Sequence, residues 1–271
     1  MSQPEHEMQP PEYAPPPVYH QAPPEEPARL GPFQRLFGVL FSPGETFQDI
    51  NRKPTWLVPI LIAIVTSIAF GLFLNWILEA GWTEFMRKTL ADQATKSGGP
   101  PPTAAQVQQA TFFLKIYFIA VGVLAAPIIY LAISGVFALG MMLMGAQTTF
   151  KKILSVVAWS LCSVGIISVL VAIASLMLRD AESLKELNPQ NLDTISASNL
   201  GAVMSSDSPK WLRAVASSLD VFSFWMLALL SIGLAAIAGK RSIKAGSTAV
   251  MVVGLWIAYV LVKTALTAIF S

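Results

Sequence analysis

The side chains that most often do chemistry are few in this chain, and their spacing does not bring them together. Its two histidines, His6 and His20, which could ligate a metal or act as general base, fall in a proline-rich N-terminal segment. A membrane metalloprotease needs a His-Glu-x-x-His pair on one helix face, and a Ser-His protease needs a histidine beside its nucleophile. No histidine follows His20. The one cysteine, Cys162, lies inside an apolar run where a small core residue belongs, and it cannot form an intrachain disulfide. Lys115 and Lys263 are the charges nearest to apolar depth, and snorkelling toward a membrane surface accounts for both. The Gly-Lys pair at 239 and 240 lacks the upstream glycine and following hydroxyl of a phosphate loop. These patterns supply no catalytic residue, no metal ligand and no cofactor site.

The elements that would carry any site are set by charge-free runs. Lys53 to Glu79, Lys115 to Lys151, Lys152 to Arg179, Asp220 to Lys240 and Lys244 to Lys263 each bracket a stretch without an ionised side chain. Each stretch is close to or above the ~20 apolar residues that cross a bilayer as a helix. Mean hydropathy is +0.58 and charged residues are 13%, against about 25% in an average soluble domain. The fold class is therefore all-α, a polytopic membrane helix bundle. No Asp or Glu falls within the runs, so a carboxylate dyad or proton relay at depth has no residues to use. A net charge of +2, carried by scattered Lys and Arg, excludes a nucleic-acid partner, which would need a dense basic stripe.

Five spans are predicted, at about 56–78, 116–146, 153–178, 221–238 and 245–269. The second run would be too long for one perpendicular crossing, because 116–150 as a helix reaches roughly 50 Å against a core of about 30 Å. It is one long tilted helix or a tight hairpin, and charge decides between them. With one crossing, Arg29, Arg35, Arg52, Lys53, Lys151, Lys152, Lys240, Arg241 and Lys244 all fall on the side of the N-terminus, which the positive-inside rule makes cytoplasmic. The prediction is one helix, kinked at Pro127, with the protein N-in and C-out. Loops at about 80–111 and 179–218 then face outward. The first holds a short surface helix from Trp82 to Leu90 and the breaker Gly98-Gly99-Pro100-Pro101-Pro102. The second contains Asn188-Pro189 and Ser208-Pro209, which opens a helix through Trp211 into the fourth span.

Ahead of the spans, residues 1–29 have little to bury and many prolines, the composition of a disordered cytoplasmic tail. Two Pro-Pro-x-Tyr sequences in it, ending at Tyr13 and Tyr19, fit either a low-complexity spacer or a peptide for a Pro-reading domain. Residues 30–55 differ. Phe33, Leu36, Phe37, Leu40 and Phe41 recur at helical spacing beside Gln34 and Arg35, the pattern of a helix in the membrane interface or of a packed cytoplasmic cap. A second helix is signalled by Ser42-Pro43-Gly44-Glu45, with Ser42 as cap and Glu45 closing a capping box on the Ser42 amide. Arg52 and Lys53 stand just before the first span, where anionic head groups attract each by about 1 kcal/mol.

The stretch Phe41-Ser42-Pro43-Gly44-Glu45-Thr46-Phe47 through Ile50, Pro54 and Pro59 resembles the opening of bacterial Yip1-domain proteins. Leu219-Asp220-Val221-Phe222-Ser223-Phe224-Trp225, with Leu229, Gly233-Leu234 and the turn Gly239-Lys240-Arg241, is similar to that family's fourth helix and the turn after it. The resemblance covers about 33–270, which makes 56–271 the membrane domain. It implies five membrane helices with a cytoplasmic N-terminal region, a multi-pass protein of the bacterial inner membrane and no catalytic residues to carry over. Eukaryotic relatives are associated with vesicle traffic and small GTPases. The expected role is a non-enzymatic organiser or adaptor whose partners are membrane lipids and a membrane protein or a second copy, with no small-molecule substrate. Candidate contacts are Arg35, Arg52, Lys53, Asp220 and Trp225; Asp220 would bind a partner or head group, or cap a helix. The alternative is a small transporter, in which Pro127 and nearby glycines would break a helix at mid-membrane.

Overall fold

The computed structural model describes residues 29–187, 195, 199–204, 208–239 and 243–270. The tail with its Pro-Pro-x-Tyr sequences, Asn188-Pro189 and the Lys240-Arg241 pair lie outside the described residues. Two ten-residue helices lead, α1 (Pro32–Phe41) and α2 (Pro43–Arg52). Their junction departs from the predicted capping box. The Ser42 amide donates to the Gly38 carbonyl at 2.7 Å, closing α1, so it is not free for Glu45, and the Ser42 side chain makes no cap bond. Pro43 does occupy the first turn of α2, where its missing N–H costs nothing.

Next come α3 (Leu57–Ile77), α4 (Glu79–Ser97), α5 (Ala104–Leu143), α6 (Phe150–Met177), the short α7 (Ala181–Glu186), a 3-10 turn at Leu200–Val203, α8 (Lys210–Ala216), α9 (Val221–Ala236) and α10 (Ala245–Phe270). Helices α3, α5, α6 and α10 are long and apolar enough to cross a bilayer. The fourth predicted span corresponds to α9, an apolar helix of 16 residues, about 24 Å at 1.5 Å per residue.

The second apolar run is a single helix rather than a hairpin, and it continues unbroken through Pro127. It begins earlier than predicted, because Thr103 and Gln106 form a reciprocal capping box directly after Pro100-Pro101-Pro102. Its 40 residues reach about 60 Å, so the 104–115 stretch extends past the apolar run and packs against α4. That partner helix is the larger surprise. The predicted surface helix at 82–90 is 19 residues long, and Trp82 is buried rather than exposed. Its indole lies 5.0 Å from the Phe118 ring among Leu74, Leu78, Leu176 and Leu187. Glu84 supports the helix by pairing with Arg87 and Lys88 one turn on. Gly98, at φ +68°, ends it in the left-handed conformation that favours glycine.

The helix expected to run from Pro209 into the fourth span is two helices. α8 stops at Ala216, and α9 restarts after Asp220, whose backbone is extended and forms an antiparallel bridge with Asn199. Lys263, rather than snorkelling outward, turns in to donate to the Ser217 and Ser218 hydroxyls at 3.1 Å each. Lys115 pairs with Glu79. Cys162 is buried and unpaired, as a core residue should be.

Hydrogen bonds show which helix ends meet. Asn51 Nδ2 donates to the Ala236 carbonyl at 3.3 Å, and the Gln147 amide to that of Ala238 at 2.8 Å. The end of α2, the α5–α6 turn and the end of α9 therefore share one end of the bundle, beside Lys151 and Lys152; we call it the basic end. α3, α6 and α10 run away from it, and α5 and α9 return to it. The main core unites Val39, Leu40, Phe47 and Ile50 of the leading helices with Val156 and Trp159 of α6 and Leu229 and Leu234 of α9. At Gly233 α2, α6 and α9 pack tightly, for a Cβ there would collide with Val156 and touch the Phe47 ring.

Gly233→Leu should lower stability in detergent by about 1–3 kcal/mol, the usual cost of overpacking. Gly135→Ala, where nothing lies within 4 Å of an added Cβ, should raise it by about 0.5–1 kcal/mol through helix propensity. Thermal unfolding of the two variants beside the parent checks both signs.

Candidate functional site

The candidate contacts separate into two groups. Arg35, Arg52 and Lys53 gather at the basic end, whereas Asp220 and Trp225 begin α9 at the far end. Pro127 sits half-buried within α5 and joins neither group.

Arg35 is not a surface contact. Its side chain is 4% exposed and pairs with Asp49, itself 6% exposed, with Nη2 2.7 Å from Oδ2. All five guanidinium N–H groups find acceptors: Nε and Nη2 reach Asp49 Oδ2, Nη2 also faces the Asp49 carbonyl, and Nη1 donates to the Lys53 carbonyl and Thr55 Oγ1. The other carboxylate oxygen, Oδ1, accepts the Arg29 and Leu30 amides at 2.7 and 3.4 Å. Thr55 Oγ1 also accepts Trp159 Nε1 at 3.3 Å. One continuous polar network thus joins the chain before α1, both leading helices, the lead-in to α3 and the third turn of α6. Burial pushes the Asp49 carboxyl upward. The Arg29 amide, the Arg35 hydrogen bond and charge, and the Leu30 amide outweigh it, so the group titrates below the ordinary carboxylate range.

Sequence reasoning misses Asp49, Thr55 and Trp159. A signal exists in α2, where Thr46, Phe47, Asp49 and Ile50 lie in one arc of the helix and all four are buried. A carboxylate inside an apolar arc needs a cation, and Arg35 stands in the same position on α1, one turn before buried Val39.

Around this network the outer surface is mixed. Arg52 and Lys53 are exposed, as are Gly44, Glu45 and Gln48 of α2. Phe33, Phe37 and Phe41 line the outer side of α1. One side of the leading helices packs on the bundle and the other presents apolar rings. At the far end, Asp220 caps α9: Oδ1 accepts the Phe222 amide and Oδ2 the Ser223 hydroxyl, each at 2.8 Å. Trp225 is half-buried against the main core. A groove of about 740 Å³ between α4 and α5 holds Glu79, Arg87 and Lys115, whose charges pair within it or with adjacent Glu84.

Arg35→Ala strands a buried carboxylate and should destabilise the protein by about 3–5 kcal/mol, whereas the apolar double variant Arg35→Met/Asp49→Leu should recover most of that loss. Thermal unfolding of both variants beside the parent gives the comparison. Because the folded pKa of Asp49 is depressed, its contribution is complete above the unfolded value of about 3.9 and is lost as pH falls below it. The stability gap between the parent and Asp49→Asn should therefore be constant near neutrality and narrow below about pH 4. A gap that does not narrow there would show that Asp49 is not ionised in the fold.

No curated protein and no solved structure matches the chain. The Yip1 domain family model does, over residues 37–265, from the outer turn of α1 to the last turns of α10. With several long apolar helices assembled as described, this chain belongs to the Yip1 domain family and is a multi-pass integral membrane protein.

Proposed function

We propose that this protein is a non-enzymatic membrane organiser or adaptor, crossing the bilayer five times with its basic end in the cytoplasm and its C-terminus outside. The observation that carries the role is the docking of α1 and α2 as one rigid surface at the basic end, locked by Arg35 and Asp49. A surface fixed to the spans holds its exposed groups in a constant geometry, which is what recognition of another membrane component requires. Arg52 and Lys53 supply its charge, and Glu45 and Gln48 its neutral and acidic polar groups.

Five crossings follow from counting α9, whose 16 residues are extended by Ile237 and Ala238. It is packed between α6 and α10, and a short helix at a bundle interior is accommodated by local thinning at modest cost. The orientation rests on Arg52, Lys53, Lys151, Lys152 and Lys244 at one end, and on this reading the home is a bacterial inner membrane. A transporter is less well supported. Its midplane site is built from discontinuous helices, and α5 runs continuously through Pro127.

Topology is tested with single cysteines and a membrane-impermeant maleimide, against the buried native Cys162. Gln93→Cys in α4 should label in intact cells and Gly44→Cys after permeabilisation alone; the reverse pattern sinks the orientation. For the role, cross-linking in membranes followed by mass spectrometry should recover a stoichiometric membrane-protein partner or a second copy. That recovery should fall at least several-fold in Arg52→Glu/Lys53→Glu, or on deletion of 1–28 if the tail makes the contact, a deletion that spares the Arg29 amide bonded to Asp49. Recovery unchanged by both alterations, with the bundle intact, argues against an adaptor working through this end.

A further inference from the structure

We propose that α1 is a wedge set into the membrane surface, its Phe33, Phe37 and Phe41 face occupying the headgroup–acyl boundary of the leaflet at the basic end. The inference depends neither on which side of the membrane that end faces nor on the adaptor role. The three rings stand at i, i+4 and i+8, one side of a helix, and are 77%, 57% and 76% exposed. The opposite side of the same ten residues is buried, with Arg35, Val39 and Leu40 held against α2 and α6. A helix this short has little stability alone, so its orientation comes from the bundle, which fixes the phenylalanines outward.

What they face follows from where α1 is docked. Val39, Leu40, Phe47 and Ile50 share their core with Ile153, Val156 and Trp159. Those α6 residues lie three to nine positions inside a helix that starts at Phe150, or about 5–14 Å along its axis. Phe47 also meets Gly233, three residues before the end of α9. The leading helices therefore sit on the flank of the bundle, one to two turns inside the ends of its long apolar helices. An interfacial helix buries its apolar side about 5–10 Å into the headgroup and acyl boundary, and this docking depth overlaps that range. Exposed Leu57 and Leu61 of α3 and Phe150 of α6 continue an apolar belt at this end. The polar counterpart is also present. Gly44, Glu45 and Gln48 of α2 are exposed on the water side, and exposed Arg52, Lys53 and Lys151 stand where lipid phosphates would lie.

Site-directed spin labels decide the matter, introduced at Phe33, Phe37, Phe41 and Gln48 on a Cys162→Ala background. The full chain is reconstituted at low density in vesicles of neutral and anionic phospholipid. Collision rates with oxygen, which concentrates in lipid, and with a nickel chelate, which stays in water, are compared. The oxygen-to-nickel ratio should be several-fold higher at the three phenylalanine positions than at Gln48. A ratio at Phe37 equal to that at Gln48 overturns the proposal, because the face would then lie in water. Dipolar broadening that vanishes on dilution also overturns it, by assigning the face to a second copy. Low access to both reagents without broadening overturns it as well, since the chain itself would then cover the face. The labelled positions are exposed, so unchanged thermal unfolding of each labelled protein shows that these readings come from the native bundle.

Discussion

A guanidinium withdrawn from water must find an acceptor for every N–H, and a carboxylate beside it must find donors for both oxygens. Arg35 and Asp49 meet both conditions, and the rest of the basic end is arranged by how they do so. The acceptors of Arg35 come from three places: the Asp49 side chain and carbonyl in α2, the Lys53 carbonyl at its end, and Thr55 before α3. None can move far without leaving a buried donor empty. Thr55 is in turn fixed to Trp159, so the start of α3 and the early turns of α6 are positioned from the same centre. Lysine could not substitute, because a compact ammonium cannot span these acceptors as the planar fork does. Phe47, Ile50, Val39 and Leu40 then provide the apolar contact with α6 and α9. The ion pair specifies geometry, while the apolar residues supply most of the stabilisation.

Much of the architecture is legible in the sequence because lipid leaves the backbone few options. A long run such as 153–178 must be helical whatever its local propensities, and α6 follows it within a few residues. The unity of α5 is expected without contact information, from the rule that would keep Arg52 and Lys53, before the first span, on the same side as Lys151 and Lys152, after the second. Legibility fails where water returns as solvent. From Glu79 to Ser97 the chain is polar and reads as a loop with a short surface helix at 82–90, yet it is one full helix, which packs along the extended start of α5 and is reinforced by Glu84. The break before Asp220 is hidden for a different reason. Its carboxylate accepts the Phe222 amide and the Ser223 hydroxyl at the start of α9 while its own backbone pairs with Asn199, and no periodicity in one segment announces a partner some twenty positions upstream.

The candidate site shows the same division more sharply. Sequence reasoning places Arg35 on the outer side because charged residues on short amphipathic helices usually face water. In α1 the sides are inverted: arginine inside, three phenylalanines outside. A helix with a buried cation and exposed aromatic rings violates ordinary binary patterning. Such violations survive when another constraint compensates, here a carboxylate fourteen residues on. Asp220 is the easier case, since helix capping is a local interaction and its residue type announces it.

The inverted helix also bears on what the basic end can recognise. If the rings of α1 are covered by lipid, the water-exposed part of the rigid surface narrows to the outer side of α2 and the residues that follow it, with Glu45, Gln48, Arg52 and Lys53. A stable protein interface buries about 800 Å² on each partner, and these four side chains supply a part of that. On the adaptor reading, a partner at this end would engage additional surface, such as lipid-facing parts of the spans or the residues before Arg29. With α1 held in the leaflet and α2 fixed to the spans, such an encounter would be confined to the membrane plane.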